Sequence, residues 1–449
     1  MFERLINSQK EAIRSVLLNS HLKELLAGST IAFVFSVLGV GGGYIFAYIV
    51  SHTYGTRGMG VYSLSYSVLV VLEMFGTLGF KSSVLRYAGQ YYGEKEYGAI
   101  RSLYKQMLRL SAPVSLVFSA VLGLVSFKLA TVLFHDPALI TAFRIVSLVG
   151  PMYVLNAINV EWIRGLRNIP LSEYLRGLNR PIFSIISLLV LSAFLTGFYV
   201  PVFSLSLALV STFVISSLYL YRKLRALSKA TESRLSDREL LRVSFPMMIT
   251  AFSFLIMGYL DTLMLGMFST TGNVGIYNIA VRLASLTSFI LFALNVIAAP
   301  KFAELYWSKK RGDLETVVRF TSKLAFWFSF PILLVYLLFP SFFMGIFGAE
   351  FAKGRYALVF LALGQFMNST AGLVGPYLNM TGKQKAFRNI VLLAALIDIA
   401  LCYLLIPRFG INGAAIATMT SLFFWNITSV IVIKKADGIN TFYFPVLSQ

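Results

Sequence analysis

Apolar runs of about 20 residues, long enough for a helix rising ~1.5 Å per residue to cross a bilayer core, recur along the whole chain. Twelve are legible, near 25–50, 59–80, 110–134, 139–162, 181–198, 200–221, 243–268, 274–300, 322–346, 355–380, 387–406 and 410–433. Proline and glycine punctuate many of the breaks, as in FHDPAL and PRFGING. The pattern predicts an all-α integral membrane protein of about twelve transmembrane helices. The longest central polar break, RKLRALSKATESRLSDRELLR (222–242), reads as a linker. It separates a six-helix bundle at 25–221 from a second at 243–433, with a tail at 434–449. Residues 1–24 place Phe2, Leu5, Ile6, Ile13, Val16 and Leu17 at helical spacing. That suits an amphipathic helix lying on the membrane surface, the alternative being a polar lead-in.

The two bundles repeat one another. YIFAYIVSHTYGTRGMGVY (44–62) aligns without a gap to YLDTLMLGMFSTTGNVGIY (259–277), and the same spacing sets Arg86-Tyr87-Ala88 over Lys301-Phe302-Ala303. An even number of spans per half makes the halves parallel repeats about an axis along the membrane normal, an arrangement that typically encloses a central site.

Composition fits this picture. Charged residues make up 13% of the chain, about half the ~25% usual in soluble proteins. The net charge of +20 invites a nucleic-acid reading, but 32 of the 39 Lys and Arg fall in alternate loops and the terminal segments. The opposite loops hold only Arg57, Lys128, Lys353, Arg355 and Arg408. This is a positive-inside pattern in a multi-pass cell-membrane protein with both termini cytoplasmic. Basic loops facing anionic headgroups account for the charge without nucleic acid. A single cysteine, Cys402, excludes an internal disulfide or a multi-cysteine metal cage, and His21, His52 and His135 are scattered.

The pattern D-x-x-M-L-G followed by G-x-Y-x-x-A-x-x-L (261–283), its partner G-x-G-V-Y-S-L-S-Y (58–66), and LGFKSSVLRYAGQYYGEKE (78–96) carry a family resemblance. The chain resembles the polysaccharide-transport branch of the multidrug/oligosaccharidyl-lipid/polysaccharide (MOP) flippase superfamily, which includes Wzx-type oligosaccharide flippases. The resemblance covers roughly residues 25 to 434. It implies a MATE-like fold, alternating access, and a lipid-linked oligosaccharide carried from the inner to the outer leaflet. The multidrug exporters of the MATE branch share that architecture, so a cation-coupled drug antiporter is the alternative.

Ionisable residues inside spans are functional candidates by default. Asp261 and Arg282 lie about ten residues either side of the turn at 269–273, at similar depth for ~1.5 Å per residue, and are expected to pair or to line a common cavity. The repeat aligns Asp261 with Phe46 and Arg282 with Ser67, so the first half lacks that pair. Glu73, with no cation close by in sequence, Arg144 near the outer end of span four, and Asp398 one turn from Cys402 complete the charged set. A diphosphate-linked headgroup would suit arginine, here Arg144 and Arg282. Asn156, Asn159 and Asn368 would bind hydroxyls or join helices. Arg86 and Lys301 are inner-mouth candidates. GVGGGY (39–44) follows no strand and lies within a span, so it reads as a small-residue packing face or a bend, not a phosphate loop. TGKQK (381–385) lacks a P-loop hydroxyl. The reading is a transporter rather than an enzyme, without cofactor or metal centre, coupled if at all to H+ or Na+. It would work as a single chain among membrane lipids, with a lipid-(di)phosphate-linked glycan as its cargo.

Overall fold

The architecture comes from a computed structural model that describes residues 20–94, 96–226 and 235–445, except for the side chains of 20–31, 93, 249–251 and 253–257. Most of the predicted surface helix at 1–24, the middle of the linker and the end of the tail lie outside the described residues. Among those described, helices account for nearly every residue and there is no strand. In lipid the backbone must satisfy its own hydrogen bonds, and a helix does so within one segment.

Every predicted span falls on a helix. The first two form one helical stretch broken at Gly55 (φ 66), giving α1 (residues 20–54) and α2 (residues 56–76). A connecting helix, Phe80–Gly93, leads to α3 (Tyr97–Leu133), α4 (Ala138–Gly165), α5 (Ile169–Ser192) and α6 (Val200–Ala226). The second half comprises α7 (Asp237–Phe268), α8 (Thr271–Trp307), α9 (Arg311–Leu338), α10 (Ala349–Ala371, continued at 42° by Val374–Met380), α11 (Gln384–Phe409) and α12 (Ile411–Asp437). Among the described residues nine helices are long and apolar enough to cross a membrane, or ten with the bent α10 pair. The first of these carries both α1 and α2, and the greasy middle of α7 is where side chains are not described. The α5 boundary differs from the predicted 181–198: Asn168 caps the helix through Leu171 N (3.2 Å), and Pro170 occupies its first turn.

The repeat is visible in contact. A Cβ on Gly60 would overlap the carbonyl oxygen of Thr271, and a Cβ on Gly275 that of Thr56. Both pairs, Gly60 with Gly275 and Thr56 with Thr271, are partners in the gapless alignment, so α2 and α8 meet reciprocally about a pseudo-twofold axis. Small residues allow this backbone approach. The contact closes the face of the molecule opposite the basic loops. There Thr56 Oγ1 also donates to Glu350 Oε2 (3.0 Å), and Arg57 pairs with Asp136 at 2.5 Å. On the basic face, α7 leans on the first half through Ser244 Oγ to Ser83 Oγ (2.8 Å) and Asp237 to Arg109 (2.8 Å). Gly39 backs onto Gly177, and Gly43 leaves room for the Arg282 guanidinium, so the GVGGGY run is a packing face.

Candidate functional site

Two adjoining cavities of about 360 and 300 Å³ share Tyr66, Glu73, Lys81 and Tyr153; the first is lined by the first half alone and the second also by α7 of the second half. Glu73 comes from α2, Tyr153 and Asn156 from α4, Thr212 from α6, and Met248 and Tyr259 from α7. At Tyr174–Leu178 the chain widens into a π-helical turn, which brings Arg176 to the cavity wall one turn before Arg180. Such single turns are common at functional sites.

The charges pair unequally. Lys81 Nζ holds Glu73 at 2.7 Å, and Arg176 holds Glu161 at 2.8 Å. Arg180 has no carboxylate partner among the described residues. Its Nη1 donates to Tyr66 OH, and its guanidinium carbon lies 4.9 Å from the centre of the same ring. With two acid–base pairs compensated, the wall presents one surplus guanidinium beside the Tyr153 hydroxyl and the Asn156 amide. An oxyanion bearing hydroxylated groups is the chemistry such a wall accepts.

The second half carries a different cluster. Asp261 is buried on α7. Tyr277 OH (2.9 Å) and Thr418 Oγ1 (2.5 Å) donate to its Oδ2, and Cys402 Sγ donates to Oδ1 (3.3 Å). Asp398 lies against it: a carboxylate oxygen of each acid and Cys402 Sγ fall within 4.8 Å of one another. Both oxygens of Asp261 are already engaged by donors, which leaves the group poorly placed to ligate a metal. The counterpart of the Asp261–Tyr277 pair in the first half is Phe46 against Tyr62, with ring centroids 5.1 Å apart.

The expected pairing of Asp261 with Arg282 does not occur. Tyr277 and Arg282 are five positions apart on α8, about 140° around a helix of 3.6 residues per turn, so turning Tyr277 to Asp261 turns Arg282 away. Arg282 Nη1 instead donates to Gly43 O on α1 (3.0 Å). Glu73 does have a cation, Lys81, supplied by the connecting helix. Arg144 is exposed on α4 and does not line the cavities. Asn156 does line one, accepting from Ser216 Oγ at 3.0 Å. Asn159 is tied to Tyr104, Ser216 and Ser217 as an interhelical bridge, and Asn368 is half-buried on α10, away from the cavities. Arg86 is exposed beside Tyr87, and Lys301 is exposed and paired with Glu304 at 2.8 Å, so neither rims the cavities. Sequence reasoning missed Lys81, Arg176, Arg180 and Glu161, reading the cations as ordinary loop charges. The Arg176–Arg180 spacing, which shares one helical face, was the available signal.

This fold is that of the MOP superfamily. The chain aligns over 91% of its length, and 98% of the other's, with a structure described as the inward-facing conformation of a multidrug resistance MATE family transporter of the MOP superfamily, at TM-score 0.71 and 13% identity. The family described as "Polysaccharide biosynthesis protein" matches residues 25–306, and the chain belongs to it. The MatE family also matches, over residues 246–404. Among curated relatives, the chain is 28% identical over 166 residues to the probable low-salt glycan biosynthesis flippase Agl15 of Haloferax volcanii, covering 36% of this chain and 35% of that protein. It is 30% identical over 220 residues to the probable multidrug resistance protein NorM of Bacillus cereus, covering 46% and 48%. The chain thus spans about half or less of the curated relatives it matches.

Proposed function

We propose that the protein is a flippase that carries a lipid-linked oligosaccharide from the cytoplasmic to the outer leaflet of the cell membrane by alternating access. The observation that carries this reading is Arg180, a guanidinium without a carboxylate partner among the described residues, set among hydroxyls and amides in a cavity wall. A phosphate of the carrier lipid would sit against Arg180, and the sugars against Tyr153, Asn156 and Thr212. The lipid tail would remain in hydrocarbon between the halves. The basic loops support a cytoplasmic opening, and the reciprocal α2–α8 contact supports a state closed on the far side. The similarity to a glycan biosynthesis flippase points to the same class of cargo.

Deleting the gene should leave lipid-linked precursor accumulated on the cytoplasmic leaflet, with restoration by the wild-type chain and not by Arg180→Ala. Intact surface glycan without accumulated precursor would overturn the proposal. A second reading, antiport of organic cations, draws on the MatE match over α7 to α11, where the buried acids lie. Drug efflux stimulated by an ion gradient in vesicles, with no movement of lipid-linked glycan, would favour it.

A further inference from the structure

A third cavity, of about 260 Å³, lies in the second half where the end of α8, the start of α9, the continuation of α10 and the end of α12 meet. Tyr306, Lys309, Arg311, Tyr377 and Asp437 line it. The segments that frame it, at 308–310, 381–383 and 434–439, belong to the basic loops and the terminal segment. Its one lining acid is already engaged. Lys383 Nζ holds the Asp437 carboxylate at 2.8 Å, and Tyr377 OH donates to it at 2.9 Å. Lys383 also lies over the Tyr306 ring, 4.6 Å from its centre. Arg311 Nη2 donates to the Asp437 carbonyl oxygen past Gly438, where a Cβ would stand 2.5 Å from that nitrogen. Asp313, two positions beyond Arg311, is about 200° further around α9 and does not line the cavity. Among the described residues neither Lys309 nor Arg311 has a carboxylate partner, so the corner carries two surplus cations.

Lys309 occupies a backbone position that suits glycine. At the end of α8, Lys309 N bonds to Tyr306 O (3.1 Å) and Lys310 N to Leu305 O (3.0 Å), with Lys309 at φ 59. At the similar closure before α11, Lys383 N bonds to Leu378 O (2.8 Å), and the left-handed residue is Gly382 (φ 79). A side chain in that region is strained, and such strain points to a use for the side chain. Beside it α9 starts without a side-chain cap, so its first-turn amides add partial positive charge to the corner. The first half treats the equivalent corner differently. There Glu96 N bonds to Tyr91 O as Lys310 N does to Leu305 O, which puts Tyr97 in the place of Arg311. Tyr97 stands edge-on to Tyr92 at 5.8 Å, and Arg167 lies over the same ring at 4.8 Å. An aromatic cluster occupies that corner, where the second half sets its two cations around a cavity.

We propose that this corner binds the phosphate group of an anionic membrane lipid, with Lys309 and Arg311 as its donors. Ammonium and guanidinium groups both suit phosphate oxygens, the second through its planar fork. The surroundings favour the membrane as the source. Trp307, 67% exposed on the last turn of α8, donates its Nε1 to Met380 O (3.1 Å) and marks the level of the headgroups. Lys434 and Lys435, exposed at the end of α12, add to the attraction for anionic lipid. A headgroup seated there joins the end of α8 to the start of α9 and the end of α12. The site rests on no assumption about the cargo.

The test uses the full-length protein in detergent with phosphatidylcholine, titrated with phosphatidylglycerol. Thermal midpoint and the number of bound lipids, counted by native mass spectrometry, are the two readouts. The wild type should show a saturable rise in midpoint. Lys309→Gly should weaken phosphatidylglycerol binding at least about tenfold, the loss of one charged hydrogen-bond donor, and Lys309→Arg should retain it. Without phosphatidylglycerol, Lys309→Gly should unfold at the wild-type midpoint or above it, because glycine relieves the strained backbone. Lost binding then cannot be a folding defect. Arg388→Gln removes the same charge from an exposed position outside the cavity and should bind as the wild type does. Equal weakening in Lys309→Gly and Arg388→Gln would mean diffuse attraction by the basic face and overturns the site. A Lys309→Gly protein that binds phosphatidylglycerol like the wild type overturns it as well. Glycerol phosphate, the soluble probe, should leave the midpoint unchanged. If it raises the midpoint as far as phosphatidylglycerol does, and Lys309→Gly abolishes that rise, the lipid is overturned in favour of a soluble phosphate.

Discussion

The two halves share an architecture and differ in what they bury. At aligned positions the first half sets Phe46 against Tyr62 and the second sets Asp261 against Tyr277. The first half builds its polar cavity elsewhere, toward the basic face, from Arg180, Lys81, Arg176 and their acids. Duplication has preserved the backbone contact between α2 and α8, while each half has taken on separate chemistry: a cation-bearing cavity in one, an acid pair in the other. A symmetric gate would carry the same groups twice. This arrangement sets the Arg180 guanidinium apart from the acids Asp261 and Asp398.

The comparison depends first on the α2–α8 contact, and breaking it should have the largest effect. Gly60→Val or Gly275→Val places side-chain atoms where a carbonyl oxygen of the other half lies. Neither backbone can yield without moving its helix, so each variant should lose at least ~3 kcal/mol, the upper end of overpacking costs. Thermal unfolding in detergent reads this directly. A Gly60→Val protein with an unchanged midpoint would mean that the halves do not meet there.

The next test transfers the acid. Phe46→Asp gives the first half the residue of the second without Cys402, Thr418 or Asp398 around it, and should cost about 2.5–3.5 kcal/mol, typical of an unsupported acid at a helix centre. Asp261→Phe should also destabilise, by removing the acceptor that Tyr277, Thr418 and Cys402 share. If Phe46→Asp were as stable as wild type, the asymmetry between the halves would be incidental.

Arg180 sharpens the other side of the comparison. Hydrogen bonds to charged groups contribute about 1.5–3 kcal/mol, so Arg180→Ala should reduce cargo transport roughly 10- to 100-fold. Arg180→Lys should recover only part of this, because it keeps the charge and loses the planar fork and the stacking on Tyr66. Asp398→Asn should leave cargo affinity unchanged, since its site is in the other half. Equal loss of affinity in both variants would merge the two sites into one.

Much of the fold was legible in the sequence because bilayer thickness sets the length of apolar runs, and duplication leaves a fixed spacing. The helices and the Gly60–Gly275 correspondence followed from those constraints. The partnerships of the charges did not. Depth can be counted from a turn, but the direction a side chain faces depends on the rotation of its helix; Asp261 and Arg282 share similar depths and look to different neighbours. Lys81, Arg176 and Arg180 were hidden for another reason. A basic residue at a span end fits the positive-inside pattern whether it meets solvent or folds inward, and only the π-helical turn and the start of α5 at Ile169 draw the two arginines into the wall.

The smallest expected effect lies on the closed face, where the asymmetry shows once more. Arg57 aligns with Gly272, so only the first half supplies the ion pair with Asp136. Burial alone would raise the Asp136 carboxyl above its usual 3.8, but hydrogen bonds from Arg57 and the Ala138 amide outweigh it and hold the group lower. A carboxyl lower in the folded than in the unfolded chain binds fewer protons when folded. Its contribution is therefore present above the ordinary value and is lost as pH falls through the folded one. With Arg57 half exposed, the ion pair should contribute no more than about 1 kcal/mol. Asp136→Asn should lower the thermal midpoint slightly at pH 7, and the difference from wild type should vanish in acid below the folded value. A difference that grew on acidification would mean that Asp136 is not held as a carboxylate, and that its pair with Arg57 does not fasten the closed face.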